Sequence, residues 1–257
     1  CLENLLLFFA VLLITSILLS KISDKFGIPS LIIFLGVGML AGSDGLLGVN
    51  FDDQMIAQNV GMLALIFILY AGGLDTDFAA IKPIFGRGLA LATLGVFLTA
   101  LAIAPVAKYL LDFTWAEAFL LGSIISSTDA AAVFAILRAK KISLRNNIAP
   151  LLELESGSND PMAIFLTMTI IQMISLNSTP SASEWAITLV KQFGIGIAMG
   201  YLFGVALPAI FNRLRLKSWG LYPVFSIAWI LLLYTLCFKA GGNGYLAVYI
   251  AGIFINK

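Results

Sequence analysis

Carboxylate, amide and hydroxyl side chains are concentrated in one short stretch, ELESGSNDP at 153–161, inside an otherwise apolar segment at 148–174. About 20 helical residues cross the hydrocarbon core of a bilayer, so the segment predicts a membrane helix that contains the polar stretch. An ionised side chain at that depth costs roughly 3 kcal/mol on insertion scales. Polar groups kept at this cost indicate a pathway or binding site for an ion or a proton.

A second polar stretch, SSTD at 126–129, is followed by three alanines and lies in another apolar segment. Serine and threonine hydroxyls compete for backbone hydrogen bonds, so this run predicts a broken helix near 126–130. Opened backbone at membrane depth is tolerated where it lines a cavity, and its freed carbonyls can hold a cation. In the first stretch, Pro161 has no amide proton to donate to the carbonyl of Gly157.

The composition defines the class of protein. Apolar residues make up 60% of the chain and charged residues 11%, with a mean hydropathy of +1.01, whereas a soluble domain carries about 25% charged residues. We therefore expect an all-α polytopic membrane protein whose main partner is the lipid bilayer. The net charge of +1 gives no indication of nucleic-acid binding, and the absence of histidine argues against zinc or haem chemistry, so no cofactor is expected.

Nine apolar segments are predicted to span the membrane, at 2–20, 28–42, 56–73, 88–111, 115–137, 148–175, 185–211, 219–238 and 242–256. Twelve of the fifteen basic residues follow the odd-numbered spans, which places those turns in the cytoplasm and the N-terminus outside. They are Lys21, Lys25, Lys82, Arg87, Arg138, Lys140, Lys141, Arg145, Arg213, Arg215, Lys217 and Lys257.

The two polar stretches are predicted to lie at one depth. A rise of 1.5 Å per residue puts Asp129 about 21 Å along its span from Trp115, and Asp160 about 18 Å along its span from Ile148. Both estimates fall near the middle of a core about 30 Å thick. The antiparallel spans can thus bring together Thr128, Asp129, Asn159 and Asp160.

Structural explanations exist for each residue taken alone. A single intramembrane serine or threonine usually serves packing, and a single aspartate near a span end can reach the interface. Two midplane aspartates on consecutive spans, each beside amide or hydroxyl groups, favour function. By contrast, Gly196, Gly200 and Gly204 place small residues on one helix face, which predicts packing within the bundle ahead of a dimer contact.

The motifs resemble those of the cation:proton antiporter superfamily, specifically its NhaP-type exchangers. The matching segments are SSTDAAAVFAIL at 126–137 and LELESGSNDPMAIFLT at 152–167, with a further likeness in GNGYLAVYIAGIFI at 242–255. The resemblance implies a truncated inverted-repeat antiporter fold that is part of one transmembrane domain. The first repeat would cover about 1–175, and a linker span and the start of the second repeat about 185–257, with the remainder beyond Lys257.

The resemblance also implies roles for individual residues. Asp160 would bind the ion or the proton, with Thr128 and Ser156 as further oxygen ligands of a monovalent cation. Asn159 would hold the local geometry and link to the broken helix, and Asp129 would balance the partial charges of the helix ends.

For Glu155 the resemblance implies a structural ion pair with an arginine on a later span. The family likeness further implies a homodimer in the plasma (inner) membrane.

The function expected from these features is exchange of K⁺ or Na⁺ for H⁺, with a contribution to pH homeostasis and without enzyme activity. Two alternatives stay open: a channel-like potassium efflux protein, which would pass K⁺ without moving protons, and an intramembrane aspartyl protease, which would use the two aspartates as an acid–base pair. A scaffold or sensor would tolerate the loss of both aspartates.

Overall fold

The structure is a computed structural model that describes residues 2–26, 30–49, 53–140, 142–145, 148–176, 181–214 and 218–255. Helices account for the regular secondary structure of this part of the chain. The helices are α1 (Leu2–Phe26), α2 (Ser30–Ala41), α3 (Gln54–Asp75), α4 (Phe78–Leu110), α5 (Trp115–Ile125), α6 (Ala130–Ala139), α7 (Ile148–Leu176), α8 (Ala182–Leu214), α9 (Leu221–Lys239) and α10 (Gly244–Ile255).

Five helices in the described ranges are long and apolar enough to cross a membrane, and they are α3, α4, α7, α8 and α9. Shorter apolar helices lie in α1, α2, α5 and α10. The chain is therefore a multi-pass, all-helical membrane protein, as its composition predicts. Among the five long spans, α7 is the most enclosed by the rest of the protein.

The predicted start of the fourth span, residue 88, is wrong by ten residues, or nearly three helical turns, because α4 already begins at Phe78. Asp77 caps this earlier start, since its side chain accepts a hydrogen bond of 2.9 Å from the backbone N–H of Ala79. Pro83 does not stop the helix, because the chain passes it in a short 3₁₀ turn, Lys82–Ile84. Lys82 and Arg87 in this first part of α4 predict a turn between spans, which is why the sequence places the start of the span later.

The described chain divides into two compact units. The first consists of Cys1–Asn59 and Asp129–Arg145, and in it α1 packs against α2 and α6. The second consists of Val60–Thr128 and Asn146–Lys257 and contains most of the long helices.

In the second unit, α4 and α5 form a closely packed hairpin. Ala104 and Ala118 are fully buried in it, and a side chain at Gly122 would overlap the carbonyl of Ala100. These small residues let the two backbones approach closely. The hairpin packs against α7, which also contacts α10.

The buried core of the second unit is centred on α10, which packs against α8, α9 and α7. A Cβ atom at Gly200 would come within 2.5 Å of the carbonyl oxygen of Ala247, and one at Gly204 within 2.9 Å of that of Ala251. Gly196 makes a similar approach to the carbonyl of Asn243. The predicted role of this glycine stripe in packing within the bundle is confirmed.

Candidate functional site

The candidate site begins where α5 ends. The Oγ of Ser123 donates to the carbonyl of Phe119 at 2.8 Å, and the Oγ of Ser126 donates to the carbonyl of Ser123 at 2.7 Å. These hydroxyls occupy carbonyls of the last helical turns, which favours termination of the helix there. Residues 127–129 are non-helical and α6 starts at Ala130, so the predicted break near 126–130 is confirmed.

Asp160 lies in the middle of α7 and is half-buried. Its Oδ1 accepts a hydrogen bond from the Oγ of Ser127 in the non-helical segment. Hydrogen bonds to a charged acceptor are among the stronger ones in proteins. The broken helix therefore supplies a donor directly to the intramembrane carboxyl.

Asp160 and Ser127 line a pocket of about 220 Å³. The other lining residues are Leu65, Ile124, Ala163, Ile164, Thr167 and Met168. Since a water molecule in the liquid occupies about 30 Å³, the pocket has room for several waters or a partly hydrated cation. The walls are mostly apolar, so Asp160 is the residue in the pocket that can carry a negative charge.

A second group of hydrogen bonds joins Thr128 to α7. The Nδ2 of Asn159 donates to the carbonyl oxygen of Thr128 at 3.1 Å, to its Oγ1 at 2.7 Å and to the Oε1 of Glu155 at 3.0 Å. The Oγ1 of Thr128 donates in turn to Glu155, and the Oγ of Ser156 donates to the Thr128 carbonyl at 3.2 Å. Three α7 side chains thus hold the residue that follows Ser127.

Asn159 is fully buried, and its Oδ1 has no hydrogen-bond partner among the described residues. The orientation of the amide is fixed, because the three atoms that contact Nδ2 are acceptors in this arrangement and require a donor. A buried carbonyl oxygen without a partner costs about 1–3 kcal/mol unless a water or a cation satisfies it. This oxygen is therefore a candidate acceptor for either.

Four of the residues implied by the family resemblance are brought together with Asp160 in the second unit, namely Asn159, Thr128, Ser156 and Glu155. The ion-binding roles of these residues stay predictions. Asp129 belongs to the first unit, and its predicted approach to Asp160 also stays a prediction. The ion pair expected between Glu155 and an arginine on a later span stays a prediction.

Ser127 is the contact that sequence reasoning missed. Its hydroxyl bonds Asp160, whereas the hydroxyl of the neighbouring Thr128 bonds Glu155 and Asn159. The Ser-Ser-Thr-Asp run contained the signal, since each of its side chains can bind an ion. Spacing could not select between them, because the segment is non-helical and follows no regular repeat.

A family model described as "Sodium/hydrogen exchanger, transmembrane" matches residues 9–257. The K(+)/H(+) antiporter NhaP2 of Shewanella sp. (strain MR-4) is 42% identical over 249 residues, which are 96% of this chain and 43% of the relative. The K(+)/H(+) antiporter NhaP of Alkalimonas amylolytica is 38% identical over 98% of this chain and 44% of the relative. The chain thus spans less than half the length of these curated relatives.

The fold is similar to that of the sodium proton antiporter MjNhaP1 from Methanocaldococcus jannaschii, determined by electron microscopy. The TM-score is 0.77 at 23% sequence identity, and the match covers 100% of this chain and 62% of that protein. The similarity extends over all of the helices around the candidate site. Because the family model matches nearly the whole chain, this chain belongs to the sodium/hydrogen exchanger family.

Proposed function

We propose that the protein containing this chain exchanges a monovalent cation for H⁺ across a membrane, and that Asp160 binds either of the two. The observation that carries the proposal is the position of Asp160 in α7, where it lines the pocket and accepts a hydrogen bond from Ser127 of the broken helix. Membership of an exchanger family supports a secondary transporter over a channel or a protease.

Competition at one carboxyl couples the two fluxes. A protonated Asp160 is neutral, and an Asp160 that holds a monovalent cation is also neutralised, so either loaded form can be enclosed in a low-dielectric environment. The empty carboxylate carries an uncompensated charge, and removing that charge from water costs on the order of several kcal/mol. The site therefore switches its access from one side of the membrane to the other when it holds a proton or a cation, and rarely when it is empty. Each return of the site then requires a bound ion, so one ion is exchanged for the other.

The proposed cation ligands are oxygen atoms of Asp160, Thr128 and Ser156. We add the hydroxyl of Ser127 to this proposal because it bonds Asp160. Oxygen ligands suit hard monovalent cations. The hydrogen bond from Ser127 to Asp160 supports the inclusion of Ser127. The hydroxyl of Ser156 bonds the Thr128 carbonyl and not Asp160, so it supports a ligand position beside Thr128.

Asp129 has a separate proposed role in compensating helix-end charges. It precedes Ala130, the first residue of α6, and a carboxylate is stabilised at the partly positive N-terminus of a helix. The carboxylate of Asp129 would thus offset the partly positive charge at the N-terminus of α6.

K⁺ is the first candidate for the transported cation. The two relatives with 42% and 38% identity are named K(+)/H(+) antiporters, whereas a protein named Na(+)/H(+) antiporter 1 from Methanocaldococcus jannaschii is 25% identical. One H⁺ exchanged for one K⁺ or Na⁺ would move no net charge.

The proposed topology has nine spans in an inverted-repeat arrangement, with the N-terminus outside and Lys257 in the cytoplasm. The distribution of basic residues supports this orientation. By family likeness the protein forms a homodimer in the inner membrane.

The decisive experiment replaces Asp160 by Asn in the full-length protein reconstituted in liposomes. An imposed K⁺ or Na⁺ gradient should drive proton flux through the wild type, and Asp160→Asn should abolish that flux. Asp44→Asn, at an exposed carboxyl in the turn after α2, is the matched control and should retain it. Cation-driven proton flux retained in Asp160→Asn would rule out the assignment, and K⁺ flux without proton movement in the wild type would indicate a channel.

A further inference from the structure

Asn243 connects three helices at the level of Asp160. Its Nδ2 donates to the carbonyl oxygen of Pro161 in α7 at 3.0 Å, and its backbone N–H donates to the carbonyl of Gln192 in α8 at 2.9 Å. Its Oδ1 accepts from the backbone N–H of Leu246 at 3.1 Å, so Asn243 is also the N-cap of α10. The side chain is 6% exposed, and both ends of its amide are therefore used inside the protein.

The turn of α7 that carries Asp160 is weakened by its own sequence. Pro161 has no N–H, so the carbonyl of Gly157 loses the hydrogen bond that an α-helix would give it. The carbonyl of Pro161, one peptide after Asp160, is the atom that Asn243 holds. At the other end of the same turn, Gly157 packs against the ring of Tyr249 in α10.

The two contacts come from one helix and bracket one turn. Asn243 and Tyr249 lie at the start and in the middle of α10, and they contact α7 after and before Asp160, respectively. Contacts from α10 thus hold the turn of α7 around Asp160, where the backbone lacks the hydrogen bond to the Gly157 carbonyl. A shift of α10 would move the peptide that follows the candidate ion-binding carboxyl.

We propose that Asn243 is a positioning residue for Asp160, and that its hydrogen bond to the Pro161 carbonyl couples α10 to the ion-binding carboxyl. This inference rests on the proposed function, since it assigns a role in cation binding at the same site. The chemistry is that of a neutral amide, whose Nδ2 donates to the Pro161 carbonyl while its Oδ1 caps α10.

Two substitutions separate the bridge from the cap. Asn243→Ser keeps a good N-cap acceptor for Leu246 but its hydroxyl is too short to span to the Pro161 carbonyl. Asn243→Asp has the shape of asparagine and also caps the helix, but it presents an acceptor to that carbonyl in place of a donor. Ser181→Ala is the matched control, because it removes the cap that Ser181 provides to Glu184 at the start of α8, away from the α7 contact.

The variants are tested in the full-length protein in liposomes by K⁺-driven proton flux as a function of K⁺ concentration. We expect Asn243→Ser to raise the half-saturating K⁺ concentration about three- to tenfold, the range for one lost hydrogen bond, with a smaller change in the maximal rate. Asn243→Asp should raise it at least as much, and Ser181→Ala should leave it unchanged.

A second measurement follows binding without transport, through the rise in denaturation temperature that KCl produces over choline chloride in purified protein. The variants of Asn243 should need more K⁺ than wild type for half of this rise. If wild type binds K⁺ but shows no coupled flux, the proposed function fails while this measurement still tests Asn243.

Half-saturating K⁺ concentrations equal to wild type in both variants would overturn the inference. So would a loss of maximal rate alone, matched by Ser181→Ala, since it would assign Asn243 to general stability. Failure of both Asn243 variants to fold, with Ser181→Ala folded, would likewise show that the residue holds the fold and not the site.

Discussion

The ring of Tyr249 lies against the backbone of Gly157, so closely that a Cβ atom at residue 157 would overlap the ring. Tyr249 is 1% exposed, and its hydroxyl lies 3.4 Å from the Oγ1 of Thr76, the residue that follows α3. Gly157 precedes Asp160 by less than one helical turn. The missing side chain therefore allows α10 to contact α7 beside the candidate ion-binding carboxyl.

Gly157→Ala should destabilise the protein. The added methyl group overpacks a buried contact, which costs about 1–3 kcal/mol, and this exceeds the gain of up to about 1 kcal/mol from replacing glycine inside a helix. Thermal denaturation of the purified protein in detergent measures the change. Gly61→Ala in α3, where nothing lies within 4 Å of the added atom, is the control and should be neutral or slightly stabilising. Equal denaturation temperatures for both variants would show that the Tyr249 ring moves aside without cost.

Ser127→Ala should weaken cation binding, because it removes the hydroxyl that holds Asp160 in the pocket. A lost hydrogen bond to a charged group corresponds to an increase of about 10- to 100-fold in the half-saturating K⁺ concentration. Proton flux in liposomes, followed over a K⁺ titration, measures this value.

Two variants make the Ser127 result specific. Ser127→Thr retains a hydroxyl and should stay near wild type. Ser126→Ala removes the adjacent hydroxyl, which bonds the carbonyl of Ser123 and not Asp160, so it should leave the K⁺ dependence unchanged. Loss of affinity in Ser126→Ala and not in Ser127→Ala would reverse the assignment of the two serines.

The break near 126–130 was predictable because hydroxyl side chains have a local effect on the helix that carries them. Ser123 and Ser126 act on carbonyls three or four residues away, and such local contacts can be derived from the sequence. The start of α4 was not predicted, because the cap by Asp77 and the 3₁₀ turn at Pro83 offset the polar residues that follow.

The partners of the polar side chains were harder to predict than their presence. The depth estimates for Asp129 and Asp160 assume a regular helix up to each residue, but α5 ends at Ile125 and the following direction of the chain depends on packing. The contact between Ser127 and Asp160 is therefore a tertiary property. The same holds for Asn243, whose contact with Pro161 joins residues far apart in the sequence.

Gly200→Leu should destabilise the protein without changing its oligomeric state. Even a Cβ atom at Gly200 would approach the Ala247 carbonyl to 2.5 Å, so a larger side chain must separate α8 from α10. The expected loss of stability is at least about 1–3 kcal/mol, as for other overpacked contacts. Thermal denaturation measures it, and light scattering after size-exclusion chromatography reports the oligomeric state.

Gly194→Leu on the same helix is the control for Gly200→Leu, since nothing lies within 4 Å of a Cβ atom at Gly194. It should retain stability close to wild type. A change of oligomeric state in Gly200→Leu at unchanged stability would place the glycine stripe in a contact between copies of the protein.

The half-saturating K⁺ concentration should depend on pH if one carboxyl binds both ions. Protonated Asp160 cannot bind K⁺, so the bound proton must leave first, and a lower pH makes protonation more frequent. By mass action, half-saturation should rise about tenfold for each unit of pH below the pKa of the site and should become constant above it. K⁺ titrations of proton flux at a series of pH values, equal on both sides of the membrane at the start, measure this dependence. The contradicting outcome is a half-saturating K⁺ concentration that stays constant over about three pH units, with the wild type active and Asp160→Asn inactive. It would show that the proton and the cation occupy separate groups, because competition at one carboxyl requires their apparent affinities to change together.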